Sequence, residues 1–270
     1  MSGLRTSAAA AAAIVGRDVQ IFMSYPFSFV TPLVSAMFGV TLFHYIAQLV
    51  HAPTVGTPDQ YFAYVVVGIV ILGVLTSAVG TPPAVLRQEL VAGTFERLVL
   101  SPFGAVRSAV CMMGFPLVRA VLIGVATLAF ADVAFGLHLR WPDSLLAIPV
   151  GALAAVAFAP FGLAVSASVI LFKRATVVST LVISAMSLLA GAYFPVSLLP
   201  AWIRWTSDVQ PFTPATELMR HLMVGTAMTG SAWLDVLKLA AFAAVLLPAA
   251  GVALTGAVQM GRRRGTLIEY

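Results

Sequence analysis

Six stretches of about twenty apolar residues, nearly free of Asp, Glu, Lys and Arg, constrain this chain more than any other feature: Phe27 to Val50, Tyr61 to Gly80, Ser108 to Ala131, Leu145 to Phe172, Ala175 to Phe194 and Leu239 to Val258. As a helix, each is long enough to cross the roughly 30 Å hydrocarbon core of a bilayer. In lipid no water is present to satisfy backbone N–H and C=O groups, so a spanning segment satisfies them within itself, and the helix is the form that does so. Pro32, Pro116, Pro160 and Pro248 fall inside these stretches; they would disrupt soluble helices but are tolerated in membrane bundles. The expected fold is an all-α membrane protein of six transmembrane helices, one domain covering residues 1–270.

Composition excludes the soluble alternative. Charged residues make up 9% of the chain and hydrophobic residues 60%, whereas a soluble domain carries roughly 25% charge. Fifteen basic and ten acidic side chains are too few to cover the surface of a 270-residue globule, so much of the exterior faces lipid. The net charge of +5 does not indicate a nucleic-acid partner, because no soluble module gathers the basic residues. Cys111 stands alone and reads as a small packing residue.

With six spans both termini share a side. Arg5, Arg17, Arg87, Arg97, Arg107, Lys173, Arg174, Arg262, Arg263 and Arg264 fall together, ten of the fifteen basic residues. The opposite side receives Arg140, Arg204, Arg220 and Lys238, with Arg119 left inside a span. The positive-inside rule therefore places both termini in the cytoplasm, and five or seven spans would destroy the segregation. Arg5 followed by Ala8 to Val15 superficially resembles a secretory signal. The run is short, mostly alanine and closed by Arg17-Asp18, which fits better a cytoplasmic amphipathic helix lying on the interface before the first span.

The residues that chemistry would require are missing or scattered. A phosphate-cradling G-x-x-x-x-G-K-[ST] loop needs a lysine after glycine; the only lysines are Lys173 and Lys238, and neither follows one. Any nucleotide energy must come from a partner. His44, His51, His138 and His221 occur singly, without metal-ligand or nucleophile spacing. A lone His44 in the first span reads as a hydrogen-bonded packing or pore-lining residue. The spans hold no Asp or Glu well inside them, which counts against an ion-coupled carrier. Arg119 is the single intramembrane charge. It reads as a side chain satisfied by backbone carbonyls or polar neighbours, with a contact to an anionic substrate or between helices as the functional alternative. Two further function classes stay open at this point, a membrane-embedded enzyme acting on lipid or prenyl substrates and a secondary carrier or channel.

Two segments are not ordinary loops. Pro82 to Pro102 carries four charges within eleven residues, and the pattern predicts a short helix opened by Pro82-Pro83 and stopped near Gly93, with Arg87 and Glu89 on its polar side. Such a helix suits docking of a soluble partner or a place at the interface. Gly191 to Gly230 is too apolar for an aqueous loop and too rich in proline, with Pro195, Pro200, Pro211 and Pro214, for a continuous span. It reads as a broken, re-entrant segment before the last span, with Trp202 and Trp205 at headgroup level, Thr213-Pro214 as a helix cap and first turn, and Glu217 one turn from Arg220.

In these two segments the chain resembles the ABC-2 type membrane permeases of ATP-binding-cassette exporters. Glu89, Gly93-Thr94-Phe95-Glu96 and Ser101-Pro102 are similar to that family's E-x-G-T-x-E-x-L…S-P loop between the second and third spans. Gly191-Ala192-Tyr193-Phe194-Pro195, Leu199-Pro200-Ala201-Trp202, Pro211-Phe212-Thr213-Pro214 and Glu217 with Arg220 resemble its pattern before the last span. The resemblance implies a half-transporter that pairs with a second permease subunit, a copy or a paralogue, each docking a separate cytoplasmic ATPase. ATP and magnesium would sit on that partner, with no cofactor on this chain. It implies a coupling helix from Arg87 through Arg97, in which Arg87, Glu89, Gly93, Thr94, Phe95, Glu96 and Arg97 engage the ATPase. Exposed charge pairs contribute little singly, so packing by Leu90 and Phe95 should matter as much. It further implies an exit gate from Phe194 through Arg220, with Phe38, Tyr193, Phe194, Pro195, Trp202, Glu217 and Arg220 on the pathway or its mouth. The implied cargo is an amphipathic molecule, a drug or lipid in preference to a lipid-linked glycan, and the implied location is the bacterial plasma membrane. Pro211-Phe212-Thr213-Pro214 departs from the Asn-Pro and Tyr that many relatives carry, which leaves the substrate subgroup open.

Overall fold

The computed structural model describes residues 16–17, 19–20, 23–24, 27–49, 57–94, 105–140, 142–172, 175–228 and 230–264, and among these it contains helices and no strand. The helices are α1 (Phe27–Leu49), α2 (Pro58–Val91), α3 (Ala105–Phe135), α4 (Ala147–Phe172), α5 (Ala175–Leu189), α6 (Ala201–Asp208), α7 (Phe212–Val224) and α8 (Ala232–Arg264). Short 3-10 turns at Asp143–Leu146 and Val196–Leu198 lead into α4 and α6. The described residues of the N-terminal segment, 16–17, 19–20 and 23–24, are helical and exposed. The rest of the expected amphipathic helix lies outside the described residues.

The bundle is organised around α2, which packs against α1, α3, α4, α5 and α7, while α8 lies along α4 and α7. Helices in lipid gain little from burying apolar surface against one another, so close approach through small residues does much of the holding. Two glycines supply it. A side chain on Gly162 of α4 would collide with the Ala78 carbonyl of α2, and one on Gly124 of α3 would press on Val70. Phe158 of α4 and Phe212 of α7, both fully buried, stack at 5.9 Å at the centre of the core.

Among the described residues five helices are long and apolar enough to cross a membrane, by length and composition. The fifth expected span is shorter than Ala175 to Phe194, because α5 stops at Leu189 after 15 residues, reaching about 22 Å. Gly191 takes a left-handed φ of 70° and ends it, with the Ala190 and Gly191 amides closing on Met186 and Leu188. The last span is longer than Leu239 to Val258 and runs from Ala232 to Arg264.

The expected separate helix opened by Pro82-Pro83 is not present. Both prolines lie inside α2, which continues unbroken to Val91. Proline removes a helical donor and leaves the carbonyl four residues back without it. For Pro82 that carbonyl belongs to Ala78, where the bare backbone of Gly162 closes in and Pro82 also packs, so tertiary packing accompanies the continuity of a helix that the local sequence would interrupt. At 34 residues, or about 51 Å, α2 outreaches the hydrocarbon core, and its Val91 end extends beyond it. A capping box opens the other end: Thr57 Oγ1 accepts from the Gln60 amide at 3.3 Å, and Gln60 Oε1 accepts from the Thr57 amide at 3.0 Å.

Candidate translocation groove, re-entrant clamp and coupling end

The broken segment is fastened to α2 by a buried arginine. Arg220, on α7, is 4% exposed. Its Nε donates to the Tyr64 carbonyl at 3.2 Å, and its Nη2 donates to the carbonyls of Gly191 and Ala192, each at 3.1 Å. The guanidinium also lies over the Tyr64 ring, 3.3 Å from its centroid. The Tyr64 hydroxyl reaches the same turn, donating to Gly191 O at 3.0 Å and Phe194 O at 3.1 Å. Buried Gln210 completes the set, its amide donating to Met186 O at 3.2 Å and accepting from Ala190 N at 3.0 Å. Gly68 leaves the room: a side chain there would collide with Ala192 O. Buried non-helical backbone needs partners for its polar groups, and Tyr64, Gln210 and Arg220 supply them. The guanidinium thus lies beside carbonyls at the negative end of α5.

The start of α7 differs from the expected Thr213 cap. Pro211 occupies the cap position without a side-chain hydrogen bond, and the buried Thr213 hydroxyl has no hydrogen-bond partner. Prolines at positions 211 and 214 relieve the first turn of donors that would otherwise need a cap. The far end closes on Gly225, at φ 75°, whose amide donates to Arg220 O and His221 O. The Arg140 side chain lies against Gly225, and the Arg140 amide donates to Met223 O at 2.9 Å, so the chain after α3 seals the end of α7.

The exposed face of α2 runs against the rest of that helix. Val66, Ile71, Val74, Leu75 and Val79 are buried, while Gly73, Thr76, Ala84 and Gln88 are exposed and Ser77, Gly80 and Thr81 are partly so. This stripe floors two open grooves. One, about 1480 Å³, lies between α1, α2 and α3 and has Ser35, Thr76, Thr81, Gln88, Arg119 and Thr127 in its walls. The other, about 1150 Å³, lies between the Val91 end of α2 and the start of α5, with Arg87, Gln88, Ser179 and Thr180 in its walls. Ser77 Oγ donates to Pro116 O at 3.1 Å and ties α2 to α3 close to Arg119.

At its end α2 keeps Leu86 and Leu90 buried and presents Arg87, Gln88 and Val91 to the outside. Gly93, at φ 67°, makes the turn, and the Thr94 amide donates to Glu89 O at 3.0 Å. The Glu89 carboxylate faces inward: it accepts from the Thr94 hydroxyl and from Arg17 Nη1 at 3.4 Å, and so tethers the N-terminal segment to α2. Phe95, Glu96, Arg97, Ser101 and Pro102 lie outside the described residues.

This is a multi-helix bundle of apolar helices with a broken segment pinned to α2 and a stripe of small and polar residues on the exposed face of that helix. The sequence pattern of the family described as "ABC-2 type transporter" matches residues 10–224. The chain belongs to the ABC-2 type transporter family. Among curated proteins it is similar to three nodulation proteins J. The protein of Rhizobium meliloti (strain 1021) is 32% identical over 91 residues, 34% of this chain and 35% of that one. That of Rhizobium leguminosarum bv. trifolii is 33% identical over 113 residues, 42% of each. That of Sinorhizobium fredii (strain NBRC 101917 / NGR234) is 34% identical over 105 residues, 39% of this chain and 37% of that one. The aligned stretch thus spans less than half the length of each relative.

The ABC-2 bundle gathers some of the expected site residues and separates others. Phe194 and Arg220 meet at Tyr64, through the Phe194 carbonyl and the guanidinium, while Tyr193 of the same turn stacks on Phe43 at 5.4 Å and Pro195 follows it in the chain. Glu217 is half-buried on α7. Trp202 is 76% exposed and Phe38 71% exposed, away from this cluster. His44 packs as expected, bonded to Gln48 at 3.0 Å and stacked on Phe135 at 4.4 Å. Sequence reasoning missed Gln210 and the α2 stripe, although the stripe was visible as Gly, Thr and Ser recurring at helical spacing in a run of Val, Ile and Leu. It also missed Asp235, which is buried, accepts from Lys238 Nζ at 3.2 Å through Oδ1 and leaves Oδ2 without a hydrogen-bond partner. Among the described residues no group of three or more His, Cys, Asp or Glu could hold a metal ion.

Proposed function

We propose that this chain is the membrane subunit of an ABC exporter, moving an amphipathic drug-like or lipid-like substrate out of the cytoplasm with ATP hydrolysed by a separate nucleotide-binding subunit. The observation that carries the reading is the α2 stripe. Gly73, Thr76, Ser77, Gly80 and Thr81 line open grooves at the depth where a lipid-facing helix would present Leu, Ile and Val. The stripe is one wall of a pathway whose other wall is a second permease subunit. The Val91 end of α2, with Arg87 exposed and Gly93 turning the chain, is the cytoplasmic coupling end. Residues 95–97 follow as its contact with the ATPase. Because Glu89 is engaged by Thr94 and Arg17, it sets the shape of this end, and Arg87 and Glu96 make the charged contact. On the opposite face α6 and α7 gate the exit, held shut by the Arg220 clamp.

The test is copurification of an ATPase with this chain from cells that also express its neighbouring genes. The parent chain should bring down the ATPase, and Arg87→Glu combined with Glu96→Arg should lose it while still eluting as a folded species. A parent chain that purifies folded and alone from cells rich in that ATPase would refute the reading.

A further inference from the structure

Arg119 is the fifteenth of the 31 residues of α3, so it sits near the middle of a span. A guanidinium at that depth is expensive and persists where protein, water or an anion satisfies it. It lines the groove between α1, α2 and α3, and it is the one charged residue among those that do. The groove has direction. At the Val91 end of α2 it begins at Gln88 and Ala84, and it reaches Arg119 past the hydroxyl side chains of Thr81, Ser77 and Thr76. Near the other end α1 meets α3, where His44 stacks on Phe135. Pro32 and Ser35 on the α1 wall and Gly73 and Thr76 on the α2 floor are exposed, so in the single chain the groove opens sideways. Deeper in, Ile69, Val70, Leu72 and Ile123 make the lining apolar. Charge, hydroxyls and hydrocarbon are therefore arranged in order along one open trough of about 1480 Å³.

We propose that this groove binds an anionic amphiphile, its phosphate-like headgroup held by Arg119 and the α2 hydroxyls and its hydrocarbon tail lying in the lateral opening. The role of such binding in transport rests on the exporter reading above; the binding itself does not, since it needs no ATPase. Arginine suits the headgroup because its planar fork donates two parallel hydrogen bonds to a phosphate.

The experiment uses the full chain in phosphatidylcholine nanodiscs carrying a photoactivatable phosphatidylglycerol, and in a second set a photoactivatable phosphatidylcholine. The anionic probe should crosslink to α1 and α3, the zwitterionic probe at background. Arg119→Gln should lower the anionic yield at least about tenfold, through loss of the charge-assisted bonds, and Arg119→Lys, which keeps the charge and loses the fork, should restore only part of it. Decyl phosphate should displace the probe, and inorganic phosphate at the same concentration should not. Thr76→Val with Thr81→Val keeps the charge and should lower the yield about threefold, which preserves a test if Arg119→Gln fails to fold. Equal labelling by both probes, undiminished labelling in Arg119→Gln, or equal displacement by inorganic phosphate would each overturn the proposal. Failure here with intact ATPase copurification would leave the exporter reading standing, and success here with no ATPase bound would remove the exporter reading alone.

Discussion

Replacing Arg220 by methionine keeps the length and apolar stem of the side chain and removes every bond it makes to the turn at residues 191–194. Ala192 O loses its guanidinium donor, which costs about 1–3 kcal/mol for a buried acceptor left unsatisfied. The contact with the Tyr64 ring adds about 1 kcal/mol or more where the cation is desolvated. Gly191 O keeps the Tyr64 hydroxyl, and Tyr64 O belongs to a helix, so these two lose less. The sum is about 3 kcal/mol, which for a chain of this size lowers the melting midpoint by roughly 6–12 °C. The assay is size-exclusion of the detergent-solubilised chain after heating. Tyr64→Phe removes one hydroxyl donor and should lower the midpoint by about 3 °C. The double variant decides the mechanism: with both donors gone Gly191 O is orphaned, so the loss should exceed the sum of the single losses by about 1 kcal/mol. A shift below 2 °C for Arg220→Met, or strict additivity with Tyr64→Phe, would refute the clamp.

Gly162→Ala should sharply reduce folded yield, because its methyl group meets the Ala78 carbonyl between the two central helices, whereas Gly256→Ala on α8 meets nothing and should be neutral or slightly stabilising; membrane yield of the two variants compares them directly. Arg17→Ala breaks a pair in which the arginine is about half exposed, so stability should change by less than about 1 kcal/mol, and a larger loss of midpoint would mean that the N-terminal segment is held by more than this bond. Gly93→Ala places a side chain at φ 67° in open space, which costs about 1 kcal/mol; the folded yield should persist while ATPase copurification falls, and unchanged copurification would exclude a shape requirement at this turn. Trp202 and Trp205 are exposed on α6, and their fluorescence should be quenched best by lipids brominated near the glycerol rather than at the chain ends.

Much of this architecture is legible along the chain because lipid imposes a length requirement that a local reading can measure. The starts and ends of α1 and α4 were visible in that way, and so was the broken character of Gly191 to Gly230, where four prolines interrupt an apolar segment. What failed was local punctuation. Pro82-Pro83 reads as a helix start, yet α2 passes through it, where Gly162 on another helix closes over the freed Ala78 carbonyl. Thr213 reads as a cap, yet the cap position falls on Pro211. In both cases the deciding group lies elsewhere in the fold or in the proline geometry itself, and a rule applied to a window of residues does not see it.

The sequence by itself determined a bundle of apolar helices, the length of most of them, and the family the chain belongs to. Only the tertiary structure decided that Arg220 points inward to three carbonyls while Glu89 turns back to Thr94 and Arg17. It also decided that the small residues of α2 form the floor of two grooves rather than a helix–helix seam. The physical reason is that apolar length is a property of one segment in contact with lipid, whereas the partner of a polar group in a bundle is chosen by which helices come within hydrogen-bond reach. Residues 64, 191 and 220 are far apart in the chain, and the packing of α7 against α2 sets them within 3.3 Å of one another.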